Sequence, residues 1–304
     1  MTEYRIDSTD IEIMKLLTKD CRLSYRAIAL SLDITINTVK RRINNLVSRK
    51  IIEEFLVRVN LGAFGYTNVY NLIVKYRGNT EKIKIKQYLE NLGYLFMYGD
   101  CVGGVSRFAL ASKNNVIEEL RSLPEKIDSV QVIDFFSSSW RSNFLFSTND
   151  LKILNCLIAK SRAKVKEIAK IIHVSQKTAS RRIDAMILNH IIDFTIIVNP
   201  MEMKGYVNVG IFIHVEKQHR KEVTKEIKEE LKNLLVLGPP YEDIDTIAFN
   251  LYVQNMWEVD NIQRKAESLT GVKNLSTILP LRREYFHNLL LEDIERRISI
   301  QTLP

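Results

Sequence analysis

The chain has 304 residues, of which 46% are hydrophobic and 26% are charged, a balance typical of globular domains. It contains no run of roughly 18 uncharged apolar residues and no N-terminal signal peptide, so we expect a cytoplasmic protein that does not enter a membrane. Its formal net charge of +8 favours a polyanionic partner, and residues 146–200 alone carry nine Lys and Arg against four Asp and Glu.

Residue types that carry catalysis or metal binding form no recognisable pattern in this sequence. The three cysteines, Cys21, Cys101 and Cys156, are odd in number and far apart, which favours neither a disulfide framework nor a zinc site. The five histidines show no ligand spacing, and we find no Ser-His-Asp set, glycine-rich phosphate loop or HExxH motif. We therefore expect no enzyme, no metal and no cofactor.

A repeat with a period of 140 residues organises the chain. Residues 10–69 align with residues 150–209 without a gap, and a register kept over about sixty residues indicates a tandem duplication. Most of the matched positions are apolar or small, which indicates that the two copies share a core. The two consecutive arginines in each copy need another explanation. The matches include Asp10/Asp150, Leu17/Leu157, Ile28/Ile168, Thr38/Thr178, Arg41/Arg181, Arg42/Arg182, Ile43/Ile183 and Tyr66/Tyr206.

Each repeat opens with three predicted helices. Apolar residues recur at helical spacing from Ile11 to Leu17, a short second helix follows Ser24, and a third starts at Thr35, with twins at Leu151 to Leu157, in VKEIAKII and at Ser175. Asp33 and His173 occupy the tight turn before the third helix, where their tolerance of left-handed backbone explains them. The β-rich segments 51–60 and 191–200 then predict a small hairpin or wing, so each unit has the pattern of a winged helix-turn-helix.

The rest of each repeat predicts the order βαββαβ. From Tyr66 we expect a strand, a helix, two strands, a helix and a strand ending near Phe136, and the second copy repeats this order, with NLSTILPL (274–281) as its last strand. This order is ferredoxin-like, an antiparallel sheet with two helices on one face, and pairing two such sheets would cover the second face. Residues 284–300 predict a final helix that packs on the last domain or on a partner.

We thus predict an α+β fold in which two winged helix-turn-helix domains alternate with two ferredoxin-like domains. The expected winged domains span residues 1–62 and 144–203. The expected sheet domains span residues 63–143 and, with the C-terminal helix, 204–304.

The outer face of each third helix predicts contacts to double-stranded DNA. Ile36, Val39, Ile43 and Leu46 form the stripe expected to face the core. A recognition helix enters the major groove with its N-terminal half, where Arg or Lys binds guanine and Asn pairs with adenine. The residues expected to read bases are Asn37, Lys40 and Arg41 in the first copy and Lys177, Ser180 and Arg181 in the second.

A second set of residues is expected to contact phosphate. For several of them the sequence also leaves open a structural role, as a salt bridge or a helix cap. Arg42 and Arg182 lie closer to the core edge, so a structural salt bridge and a phosphate contact both stay open. Thr38 and Thr178 either contact phosphate or only cap their helices. The remaining phosphate candidates lie at the starts of the second helices and are Tyr25, Arg26, Lys164 and Lys166.

The run from Asp7 to Tyr66 resembles the Lrp/AsnC family, the leucine-responsive and asparagine-synthetase regulators. The residues that carry the resemblance are Asp10-Ile11, Ile28-Ala29, Thr38 to Ile43, Ile51-Ile52 and Leu61 to Tyr66, and the second copy keeps most of them. The resemblance implies a DNA-binding transcription regulator whose ferredoxin-like domains self-associate and bind an effector. Family members of single length work as dimers, so this tandem implies a covalent pseudo-dimer that reads two unequal half-sites.

The predicted effector loop departs from the family pattern. The family's loop between the second and third strands usually reads glycine, two residues, aspartate, whereas Val102 to Arg107 keeps glycines and lacks the acid. The second copy, Gly238 to Asp245, has a different spacing. A small-molecule effector therefore stays open, with Gly103, Gly104 and Ser106 as its candidate contacts.

Two other functions fit the same architecture. Siroheme decarboxylases resemble the same plan of helix-turn-helix and sheet, sometimes in tandem, and are enzymes. A chromosome-coating protein would use the same DNA contacts with little specificity. The cationic outer stripes on both third helices favour the regulator.

Overall fold

The computed structural model describes residues 4–139, 142–231, 235–236, 241–242 and 246–301. The described residues form two winged helix-turn-helix units and two ferredoxin-like units, which confirms the α+β duplication predicted from the sequence. None of the described helices is long and apolar enough to span a bilayer.

The first winged unit contains three helices and one strand: α1 (Ser8–Lys19), α2 (Tyr25–Leu32), α3 (Ile36–Ser48) and β1 (Ile52–Val59). Its twin has the same order: α7 (Thr148–Ala159), α8 (Val165–Ile171), α9 (Gln176–Leu188) and β6 (Ile192–Val198). Each predicted wing is a single strand, and β1 and β6 pair antiparallel with one another. The two repeats therefore share one two-stranded wing sheet.

The first ferredoxin-like unit follows β1. Its elements are β2 (Asn68–Lys75), α4 (Asn79–Leu92), β3 (Tyr94–Cys101), β4 (Val105–Ser112), α5 (Ile117–Arg121), α6 (Leu123–Lys126) and β5 (Gln131–Ser139). The predicted second helix is divided into α5 and α6, with Pro124 in the first turn of α6. Pro lacks a backbone N–H and suits a helix start, so the division follows from the sequence at this point.

The second ferredoxin-like unit repeats this order. Its elements are β7 (Val207–Val215), α10 (Arg220–Glu230), β8 (Leu235–Val236), β9 (Tyr241–Glu242), β10 (Thr246–Val253), α11 (Met256–Glu267) and β11 (Val272–Ile278). The strand order is β11-β7-β10-β8, with β9 also on β10, and the equivalent order in the first sheet is β5-β2-β4-β3.

The predicted last strand of the chain is divided between two sheets. NLSTILPL ends as β11 at Ile278, and a further strand, β12 (Pro280–Tyr285), pairs antiparallel with β3 of the first unit. The second half of the chain therefore supplies the edge strand of the first half's sheet. This exchange corrects the expectation that residues 204–304 form one self-contained sheet domain.

The two large sheets pack face to face within the chain. A cluster of buried side chains fills the space between them, and the rings of Phe136 and Phe212 lie 5.4 Å apart at its centre. The other members are Ile73, Cys101, Ala248 and Ile278. An antiparallel sheet whose outer face carries helices must cover its inner face, and each sheet here does so with the other.

The C-terminal helix, α12 (Asn288–Gln301), begins four residues later than the predicted start at 284, because Glu284 belongs to β12. It packs on α7 of the second winged unit, whereas we expected it to pack on the last sheet domain or on a partner. The apolar residues of α12 that are buried are Leu290 and Ile294. The guanidinium of Arg297 donates to the carbonyl oxygen of Phe64 at 3.2 Å, so α12 also contacts the first half.

Candidate nucleic-acid interface

The recognition helices begin with the predicted caps. The Thr35 hydroxyl accepts a hydrogen bond from the Thr38 backbone N–H at 3.1 Å, and the Ser175 hydroxyl accepts one from that of Thr178 at 3.0 Å. In the turns before them, Asp33 and His173 adopt φ of 51° and 58°, the left-handed backbone expected there. A capped helix start presents its remaining N–H groups to solvent, which favours an anion such as phosphate.

The predicted base-reading residues of the first helix lie on its solvent face. Asn37, Lys40 and Arg41 are exposed, as is Asn44 one turn later. The opposite face is buried through Val39, Ile43 and Leu46. Ile36, which we expected in this buried stripe, is 48% exposed because it lies in the first turn, beyond the edge of the core.

The second recognition helix exposes Lys177 and Arg181 in the same way. Ser180 is half-buried, and its hydroxyl lies 3.4 Å from a carboxylate oxygen of Asp184. Ala179, Ile183 and Met186 form the buried face. The structure therefore places Ser180 at the edge of the exposed face, where it is partly engaged within its own helix.

Arg42 and Arg182 face inward, toward buried carboxylates. Arg42 donates at 2.9 Å to Asp10, which is 1% exposed, and also to Asp7. Arg182 donates from Nε to Asp150 at 2.6 Å. Of the two readings that the sequence left open, the geometry favours the structural salt bridge, and we remove both arginines from the set of DNA contacts.

Some of the other phosphate candidates are exposed to solvent, and the rest contact neighbouring residues of the protein. Arg26, Lys164 and Lys166 are exposed at or near the starts of α2 and α8. Thr38 and Thr178 are half-buried, and each hydroxyl lies 2.9 Å from that of the capping residue, so they support the caps. Tyr25 is half-buried beneath the guanidinium of Arg162, 5.3 Å from its ring centre, which is a packing role.

Contacts between the two winged units hold the recognition helices in one body. Arg22 donates to the carbonyl oxygen of Ser161 at 2.6 Å, and its twin Arg162 donates to that of Leu23 at 3.4 Å. The hydroxyl of Thr195 on β6 donates to the carbonyl oxygen of Thr18 on α1 at 2.9 Å. Arg22 and Arg162 occupy the same position in the two repeats, and this identity is the signal in the sequence that points to the joint.

The predicted effector residues do not form one site. Gly103 and Gly104 lie in the exposed turn between β3 and β4 with φ of 82° and 70°, a backbone conformation that suits glycine. Ser106 is fully buried, and its hydroxyl lies 2.7 Å from that of Tyr76. Ser106 therefore stabilises the sheet domain from inside, which corrects its assignment as an effector contact.

Comparisons with known proteins agree with this geometry. The family model for winged helix-turn-helix DNA-binding domains matches residues 6–53 and 146–193. An uncharacterised HTH-type transcriptional regulator of Pyrococcus furiosus is 37% identical over 73 residues, 24% of this chain and 49% of that protein. The HTH-type transcriptional regulator LrpA of Pyrococcus horikoshii is 36% identical over 64 residues, 21% of this chain and 45% of its own. The chain spans about half the length of these curated relatives.

The chain also aligns with a solved structure over both halves at once. The siroheme decarboxylase NirDL superposes with a TM-score of 0.50 at 14% identity, covering 97% of this chain and 98% of that one. At this identity the likeness establishes the shared fold, namely the alternation of two winged units with two ferredoxin-like units.

Proposed function

We propose that this chain, a tandem member of the Lrp/AsnC family of winged helix-turn-helix proteins, is a sequence-specific DNA-binding transcription regulator. As a covalent pseudo-dimer it reads two unequal half-sites, one with each recognition helix. The activity of the whole protein is our proposal, because the curated relatives align with the chain over about half of their length.

One observation carries the proposal. Lys40, Arg41, Lys177 and Arg181 project from the outer faces of two capped helices, and none of the four has a carboxylate partner among the described residues. A cation held in solvent without a partner attracts phosphate and can bind guanine in a major groove. The joint through Arg22 and Arg162 presents both helices from one body, as a two-part site requires.

The half-sites are unequal because the two outer faces differ. The first presents Asn37, Lys40 and Asn44, and asparagine pairs with adenine. The second presents Lys177 and an exposed Asp184, whose carboxylate would repel phosphate and accept from cytosine N4. A perfect palindrome would leave one of these faces with the wrong partners.

Phosphate contacts beside the groove would come from Arg26, Lys164 and Lys166, at or near the N-termini of α2 and α8. These residues would set the register of the protein on the duplex and add affinity that does not depend on sequence. Thr38 and Thr178 would lie near phosphate only because each is in the first turn of a helix that is proposed to contact DNA.

The test is a titration of the full chain with duplex DNA at several salt concentrations. Affinity should fall steeply as salt rises, because bound phosphates release counterions. A genomic site should then bind about 4–10 kcal/mol more tightly than a scrambled competitor. Equal affinity for both duplexes would favour the chromosome-coating alternative, and no binding to either would end the proposal.

An enzyme remains the second candidate because the siroheme decarboxylase NirDL shares the fold over the whole chain. A cavity lies between the two large sheets, and its volume of about 240 Å³ is smaller than the roughly 300–1,000 Å³ that drug-sized ligands occupy, which argues against a tetrapyrrole. Adding a tetrapyrrole and recording its absorbance separates the two candidates. A stoichiometric bound chromophore would support the enzyme.

Self-association through the ferredoxin-like units is also a proposal. Each large sheet already covers its inner face with the other, and β12 closes the edge of β3, so further assembly would use the outer helices or the remaining edges. Light scattering on the purified chain measures the number of subunits directly.

A further inference from the structure

A cavity of about 240 Å³ lies at the centre of the chain, between the two large sheets and against the wing sheet. Strands of both halves form its walls, and β1 and β6 of the wing sheet close one side. None of the residues proposed to contact DNA lines this cavity. The strands β1 and β6, which follow the recognition helices, supply part of its wall. Its contents are therefore a separate question from DNA recognition.

Four arginines line the cavity, and they differ in how their charge is balanced. Arg58 pairs with Asp193 at 2.6 Å, and Arg282 pairs with Asp100 at 3.0 Å. Arg283, in contrast, donates to the side-chain amide oxygens of Asn208, at 3.4 Å, and Asn250. An amide oxygen accepts a hydrogen bond and leaves the positive charge in place.

A second guanidinium approaches from the first half of the chain. Arg107 on β4 donates to the amide oxygen of Asn71 at 2.8 Å and lies over the rings of Phe136 and Phe212, 5.9 and 5.3 Å from their centres. Arg107 and Arg283 are both half-buried, where a charge is less screened than at the surface. The first half thus contributes Arg107 to the cavity wall, and the second half contributes Arg283.

The other residues of the cavity wall limit which ligands can bind. Of the described residues that line the cavity, none is Asp or Glu, so a bound ammonium group would meet no carboxylate. Much of the wall is apolar, including Phe96, Met97, Phe212 and Ile278. A molecule that fits this chemistry has a small apolar body and an anionic end.

We propose that the cavity binds a small organic acid whose carboxylate is held by the guanidinium of Arg283. The planar fork of a guanidinium matches the two oxygens of a carboxylate. Because none of the described wall residues is acidic, the site selects a 2-oxo acid over the amino acid of the same shape. This selection is the reverse of what an amino-acid sensor needs.

The proposal is tested by isothermal titration calorimetry on the full chain without DNA. The probes are matched pairs of 2-oxo acid and amino acid: pyruvate and alanine, 4-methyl-2-oxopentanoate and leucine, phenylpyruvate and phenylalanine. At least one oxo acid should bind with one-to-one stoichiometry and at least about tenfold more tightly than its amino acid, since burying an unpaired ammonium is costly. Absence of one-to-one binding by every oxo acid, or an amino acid binding as tightly, overturns it.

Substitutions of a wall residue test whether the ligand binds in this cavity. Arg283→Gln should weaken binding of the best oxo acid at least about tenfold, because a charge-assisted hydrogen bond is lost. Arg264→Gln is the matched control, since Arg264 is exposed on α11 and pairs with Asp260, and it should bind as the unaltered chain does. If Arg283→Gln fails to fold by circular dichroism, Arg283→Lys keeps the charge without the fork and should bind several-fold more weakly. Unchanged affinity in the folded variant overturns the site, and the DNA-binding proposal stands apart from either result.

Discussion

A carboxylate oxygen of Asp134 on β5 lies 2.7 Å from Nε2 of His214 on β7, so a partly buried contact joins the sheet of the first half to that of the second. The hydroxyl of Ser276 on β11 also donates to Asp134, and that of Thr246 lies 3.2 Å from Nδ1 of His214. The sequence showed no Ser-His-Asp set, and this cluster has hydroxyl, imidazole and carboxylate together. Thr246 is fully buried, so we read the cluster as a clamp between the sheets.

Removing the clamp should lower stability and change its pH dependence. Burial raises the pKa of Asp134, but the hydrogen bonds from His214 and Ser276 outweigh it and hold the pKa below its ordinary value. Because the folded-state pKa is lowered, the stabilisation is fully present above about pH 4 and is lost as pH falls through the folded pKa. Asp134→Ala should lower the free energy of unfolding at neutral pH by about 2–3 kcal/mol and remove that acid dependence.

Urea unfolding at neutral and acid pH measures this effect. Asp260→Asn is the control, because Asp260 forms an exposed ion pair with Arg264, and it should change stability by less than about 1 kcal/mol. An Asp134 variant with the stability and acid profile of the unaltered chain would show that the clamp is unimportant.

Arg42 and Arg182 should matter for folding more than for DNA contact. Asp10 and Asp150 are buried, and each would lose its cationic partner in Arg42→Ala or Arg182→Ala. We expect each variant to lose about 3 kcal/mol, the lower end of the cost of breaking a buried pair, since both arginines keep some contact with water. Thermal unfolding measures the loss. A variant of normal stability that has lost its DNA affinity would restore these arginines to the interface.

The C-terminal helix should contribute to stability through its buried face. Ile294→Ala deletes a fully buried side chain between α12 and its neighbours and should cost about 2–4 kcal/mol. Ile300→Ala, on the same helix but 61% exposed, should be nearly neutral. Equal effects in urea unfolding would mean that α12 does not pack on α7 in solution.

Local signals in the sequence were enough to predict the winged units. Thr35 and Ser175 cap their helices through side-chain hydrogen bonds that depend on neighbouring residues only, and the buried stripe of Val39, Ile43 and Leu46 follows from helical spacing. Asp10 and Asp150, identical in the repeats, were a signal for the partners of Arg42 and Arg182. The sequence left that pairing open because a solvated arginine and a paired arginine have the same spacing.

Long-range features were not predictable in the same way. β12 joins the first sheet through backbone hydrogen bonds to β3, and any extended segment can make such bonds, so its sequence does not identify the sheet. The central cavity has the same origin, since Arg107 and Arg283 lie far apart in the chain and line one cavity only when the sheets pack.

Exchanging the outer face of one recognition helix should change the sequence that the protein prefers. The triple variant Lys177→Asn, Ser180→Lys, Asp184→Asn gives the second helix the groove-facing residues of the first at these positions. Selection from random duplexes should then yield two like half-sites where the unaltered chain yields unlike ones. An unchanged selected sequence would mean that these residues do not read bases.

The central claim is that the outer faces of both recognition helices bind one duplex together, and fluorescence anisotropy on a genomic site tests it most directly. Arg41→Ala and Arg181→Ala should each weaken binding by about 1–3 kcal/mol while circular dichroism and thermal unfolding stay unchanged. Arg264→Ala, distant in sequence and paired with Asp260, should bind as the unaltered chain does. If both recognition-helix variants fold normally and bind DNA with unaltered affinity, the account is contradicted.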